Sequence, residues 1–87
     1  MAENASGNTP QTPAHRLVRA LGGIKRTADL AKGSKKSVYR WLQPTRKGGG
    51  GGLVPLPAQR RMVKNAQAAG VQLDFADFAP RAGEVVL

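Results

Sequence analysis

Ten residues, Ser34-Lys-Lys-Ser-Val-Tyr-Arg-Trp-Leu-Gln43, bring together two lysines, an arginine, a tyrosine and a glutamine that could recognise another molecule. On a helix turning 100° per residue, with Val38 pointing inward, Lys36, Tyr39, Arg40 and Gln43 fall within an arc of about 100° on the opposite side. Their chemistry is that of base and phosphate readers. A guanidinium forks onto guanine O6 and N7, and a carboxamide pairs with adenine N6 and N7. A phenol donates to phosphate or meets a thymine methyl. For Tyr39 this contact stands beside a second reading, partial packing. Val38 and Trp41, three apart, make the inward stripe, so Trp41 is expected in the core and not stacked on a base. Ser34 is a good N-cap, and Lys35 and Lys36 fill a first turn where acids are normally preferred. Each such misplaced lysine costs about 0.3–1 kcal/mol, which a phosphate arriving at the helix start would offset. Backbone contacts are therefore expected from Ser34, Lys35 and Ser37.

The charge around this segment agrees. Fourteen Lys and Arg against five Asp and Glu give a net +9, with a pI near 11.3. Residues 15–64 hold 13 of the 14 bases and one acid, Asp29, whereas residues 65–87 hold one base, Arg81, and three acids. Such a field favours a polyanionic partner, nucleic acid before membrane. Phosphate contacts are expected from Arg16, Arg19, Lys25, Arg26, Lys32, Arg46 and Lys47. An anionic membrane is disfavoured because no Trp- or Phe-rich insertion face adjoins the bases. The near-neutral end is expected to pack or self-associate.

The elements that must position these residues are legible. Pro13 opens a first helix carrying the stripe Leu17, Val18 and Leu21, and Gly22-Gly23 stops it. Ile24 to Ala31 reads as a second short helix with Ala28 small at a close crossing, broken by Lys32-Gly33. Lys35 to Leu42 is the third, ended by Pro44. Pro57 opens a fourth, with Ala58, Met62, Ala66 and Ala69 inward, Val63 adjoining and Gly70 at its C′ position. Asp74 caps a short turn, Phe75 to Phe78, closed by Pro80. The expected fold is all-α: a compact four- to five-helix domain over residues 15–79 containing a helix-turn-helix. A disordered arm over residues 1–14 precedes it and a tail over 80–87 follows. In that tail Val85, Val86 and Leu87 read either as a short strand added to a dimer or as a frayed end. Leu, Ile, Val and Phe make only 18 of 87 residues, so the core should be thin.

Residues 44–56 form a loop with five consecutive glycines, Gly48 to Gly52. It reads as a flexible spacer or as an arm embracing DNA through Arg46 and Lys47. A nucleotide-cradling loop is excluded by the missing strand and the missing Gly-Lys-Ser/Thr ending. Arg60, Arg61 and Lys64 on the fourth helix are backbone clamps or solubilising charges.

The stretch ALGGIKRTADLAKGSKKSVYRWLQP resembles the small phage-type helix-turn-helix regulators of the lambda Cro/repressor class, and the likeness extends over about residues 17–79. The resemblance implies that Ser34, Lys35, Lys36, Tyr39, Arg40 and Gln43 face a major groove. It also implies control of phage-derived or mobile-element genes. One departure is that the turn slots usually held by Gly and an aliphatic plug hold Lys32 and Gly33, which implies a looser turn. The functional expectation is a sequence-specific regulator of transcription on double-stranded DNA. It would be a repressor acting by promoter occlusion and a homodimer on an inverted repeat, cytoplasmic and nucleoid-associated. Two other readings are an adaptor docking an acidic partner of the transcription machinery, and an RNA binder, the latter weakened by having only Tyr39 to stack on bases. No Cys, one His (His15, a surface residue at a helix start) and scattered acids point away from an enzyme, a metal or a cofactor. No small-molecule ligand is expected, and no run is long and apolar enough for a membrane span.

Overall fold

The computed structural model describes residues 11–87, so most of the arm expected over residues 1–14 lies outside the described part. Residues 11–14 correct that boundary. Thr12, Pro13 and Ala14 are buried, and Thr12 caps the first helix by accepting from His15 N at 3.2 Å. A Thr-Pro pair supplies a side-chain acceptor and then a residue with no N–H to satisfy, which suits a helix start.

Four helices form: α1 (Pro13–Leu21), α2 (Ile24–Ala31), α3 (Lys35–Leu42) and α4 (Leu56–Ala68). Short 3₁₀ turns lie at Thr45–Lys47 and Phe75–Phe78. The described residues are all-helical, without a strand, and the chain is compact, with a radius of gyration of 12.6 Å. None of these helices is long and apolar enough to cross a membrane.

Each boundary has a local cause. Gly22 takes the left-handed φ of +96° that ends α1, while Gly23 N donates to Val18 O at 2.9 Å. Gly70 (φ +72°) closes α4, with Val71 N bonded back to Ala66 O at 2.8 Å. Asp74 and Asp77 form a reciprocal capping box around the last 3₁₀ turn.

The core gathers Ala14 and Leu17 from α1, Ala28 and Ala31 from α2, Val38 and Trp41 from α3, and Ala58, Met62, Val63 and Ala66 from α4. Val54, Leu73 and Phe78 close it from the connecting segments. Alanines at the helix crossings let short helices approach closely, so a chain poor in large aliphatics still encloses Met62 and Val38 completely. Ala69, expected inward, is exposed because α4 has already unwound into its C-cap there. The tail also departs from expectation. Val85 N bonds Gln11 O at 2.8 Å and Leu87 N bonds Gly51 O at 2.7 Å, so the segment is laid over the body and is neither a strand nor a frayed end.

Candidate nucleic-acid interface

Helix α3 is built as the spacing predicts. Ser34 Oγ accepts from Ser37 N at 3.2 Å, the first turn holds no acid, and Val38 and Trp41 are buried. Opposite them, Lys36, Tyr39, Arg40 and Gln43 together line one shallow open groove. Tyr39 is 52 % exposed, so its ring stands on that surface and is not packed into the body. Ser34, Lys35 and Ser37 are exposed at the helix start.

Charge pairing separates this surface from the rest. The acids of the described residues are engaged elsewhere: Asp29 with Lys25 at 3.2 Å, Asp77 with Arg81 at 3.3 Å, Glu84 with Arg16 at 2.5 Å, and Asp74 in its cap. Among the described residues no ion pair involves Lys32, Lys35, Lys36, Arg40, Arg46 or Lys47. The groove on α3 is lined by two cations and no acid.

The turn between α2 and α3 is closed, not loose. Lys32 itself adopts the left-handed conformation (φ +55°), Lys32 N donates to Asp29 O at 3.2 Å and Gly33 N to Ala28 O at 3.0 Å. Helix α4 reinforces it from outside. Arg61 Nε donates to Ala31 O and Asn65 Nδ2 to Leu30 O, both at 2.6 Å, satisfying carbonyls at the end of α2. The Arg60, Arg61, Lys64 cluster is thus divided: Arg60 and Lys64 are exposed, while Arg61 has an internal partner. Sequence reasoning did not find this role, and Asn65 one turn after Arg61 was its only signal.

The glycine run requires the largest correction. It is neither a spacer nor a free arm. Gly50 N donates to Arg40 O at 2.9 Å, Gly52 N to Trp41 O at 2.7 Å and Gly51 N to Gln43 O at 2.8 Å. These bonds satisfy Trp41 O and Gln43 O at and just beyond the end of α3, and give Arg40 O, which already accepts from Gln43 N at 3.2 Å, a second donor. The approach is so close that a Cβ on Gly49 would lie 2.3 Å from Gln43 O, and one on Gly52 2.3 Å from Thr12 Cβ. Gly48 N and Gly49 N donate to Thr45 O and Pro44 O, so all five glycine N–H groups are consumed internally and none is left to cradle a phosphate. Arg46 and Lys47 are exposed on the 3₁₀ turn directly beyond α3.

Arg16, expected on phosphate, is engaged elsewhere. Its guanidinium meets Glu84 through Nε (2.5 Å) and Nη2 (3.1 Å), and donates to Asp77 O (2.8 Å) and Ala79 O (3.0 Å). With four of its five N–H donors used, this guanidinium holds the tail to α1 and is turned away from a phosphate-reading role. The Arg16 hydrogen bond, ahead of the opposing effect of burial, keeps the Glu84 carboxyl below its ordinary range. Arg19, Arg26 and Lys32 are exposed, and Lys25 is in an exposed pair that a phosphate can compete with. His15 is half-buried, with Nδ1 2.6 Å from Thr12 Oγ1, and burial followed by repulsion from Arg19 pushes its pKa down. Among the described residues no three acid or His side chains gather at one point.

Comparison with known protein families, curated proteins and solved structures gives no match for this chain.

Proposed function

We propose that the chain is a sequence-specific regulator of transcription that binds double-stranded DNA through α3. The observation that carries this reading is the groove of Lys36, Tyr39, Arg40 and Gln43, exposed together on the face opposite Val38 and Trp41 and free of neighbouring acid. The closed turn before α3 and the carbonyl-bonded loop after it support the same reading, since a reading helix gains discrimination by being held in one pose. In the bound state Arg40 and Gln43 read base edges, and Lys36 and Tyr39 read bases or flanking phosphates. Lys35, Ser34, Ser37, Arg19, Lys25, Arg26, Lys32, Arg46 and Lys47 supply backbone contacts.

One reading helix covers few base pairs, so the proposed working form is a homodimer on an inverted repeat, with half-sites about 34 Å apart. Repression by occluding a promoter is the simplest mechanism for such a complex, and the likeness to phage-type regulators suggests phage-derived or mobile-element genes. The corresponding location is the nucleoid within the cytoplasm.

Selection from a pool of random duplexes tests the reading. Enrichment of one sequence, with binding abolished for that sequence by Arg40→Ala, is the expected result. Equal retention of random duplex, RNA and an acidic protein by the same surface would refute it.

A further inference from the structure

Neither Arg61 nor Asn65 lies on the face that would meet bases, yet both end at the turn that aims α3. They stand four apart on α4, on one side of that helix. Each donates to one of two successive carbonyls, Ala31 O and Leu30 O, at 2.6 Å. Two features make this place sensitive. The next residue, Lys32, is the single non-glycine residue with positive φ among the described residues, so the chain reverses there through a conformation that L side chains rarely adopt. And α3 begins three residues later, with Ser34 as its cap.

We infer that Arg61 and Asn65 are positioning residues for DNA specificity. By holding the last carbonyls of α2 they fix the direction in which the turn launches α3, and so the register of Arg40 and Gln43 against base edges. The inference rests on the DNA reading proposed above. The glycine loop does the same for the far end of α3 through backbone bonds to Arg40 O, Trp41 O and Gln43 O, so the reading helix is held at both ends.

The geometry separates this role from ordinary stabilisation. Gln59, on the same helix, also donates from its side chain to a backbone carbonyl, Val54 O at 2.9 Å, but that bond braces the start of α4 and not the turn. Loss of any of the three bonds lowers stability. Loss at Arg61 or Asn65 additionally lets α3 swing, which degrades base readout more than phosphate contact.

The test uses the full chain and two duplexes, the sequence enriched by the wild-type protein and a scrambled version of it. The readout is the ratio of the two affinities, in which any inactive fraction cancels. Arg61→Ala and Asn65→Ala are expected to lower the ratio about tenfold, comparable to the discrimination of one base pair. Arg61→Lys, which keeps a donor, restores most of it, and Gln59→Ala lowers the melting temperature with the ratio unchanged. If Arg61→Ala and Asn65→Ala keep the wild-type ratio, or if Gln59→Ala lowers it equally, the positioning role is overturned while the DNA reading stands. A wild-type protein that enriches no sequence overturns the DNA reading itself.

Discussion

Replacing Gly52 by Ala tests whether the glycine run is a packed part of the body. Gly52 has φ +89°, and a Cβ there would lie 2.3 to 2.6 Å from Thr12 Cβ, Cγ2 and Oγ1. The left-handed backbone alone costs an L residue about 1–2 kcal/mol. Relieving the overlap requires moving Thr12, which is fully buried and caps α1, and losing a cap costs about 1 kcal/mol. The Ala14 N to Gly52 O bond at 2.8 Å is disturbed as well, at about 1 kcal/mol. The total is about 3–4 kcal/mol, a large part of the stability of about 4–13 kcal/mol usual for a chain of this length. Gly48→Ala is the matched control. Its φ is +81° and a Cβ there meets nothing within 4 Å, so only the backbone cost of about 1–2 kcal/mol applies. Urea denaturation followed by circular dichroism and by the fluorescence of the single Trp41 gives both values. A difference of about 2 kcal/mol between the variants is expected. Two variants within about 0.5 kcal/mol of each other would refute the packed loop and restore the spacer.

Four further outcomes are expected. Arg40→Ala weakens binding to the selected duplex by about 1–3 kcal/mol and relaxes preference at one base position, measured by titration against single-base variants. Binding falls about 10³–10⁵-fold between about 50 and 200 mM salt if six to ten phosphates are engaged, and a flat salt response would count against the whole basic surface. Lys32→Gly relieves the left-handed strain at φ +55° and raises stability by up to about 1 kcal/mol in denaturation; a loss would show that the lysine side chain holds the turn. Acid destabilises in two windows. The Glu84 carboxyl is depressed below 4.5 in the fold, so its contribution is complete above that value and lost as pH falls through the lower folded one; Glu84→Gln removes that part of the pH dependence. The His15 pKa is also depressed, so stability declines as pH drops below 6.5, and His15→Gln flattens that window.

What was legible in the sequence was whatever local chemistry decides. Gly22-Gly23, Ser34, Pro44 and Asp74 mark element ends because their effects act within a few residues. The Val38 to Trp41 spacing fixes the inner and outer faces of α3 before any tertiary contact is known. The misread parts depend on partners far along the chain. Arg16 resembles any other cation near a helix start until Glu84, 68 residues away, folds back onto it. A run of five glycines reads as slack, because composition does not reveal that the Arg40, Trp41 and Gln43 carbonyls accept from it. The looser turn failed for a related reason: Lys32 adopted the conformation expected of a glycine, since the bonds to Asp29 O and Ala28 O outweigh its steric cost.

The body grips α3 through main-chain oxygens at one end, the Ser34 cap at the other, and Val38 and Trp41 along its back. The outer side chains at positions 36, 39, 40 and 43 therefore carry no architectural duty. Their identities can be exchanged wholesale, by drift or by design, with the scaffold left intact. On the proposed DNA reading, a new target site needs only four letters rewritten, and preference for a site and ability to fold are free to evolve separately.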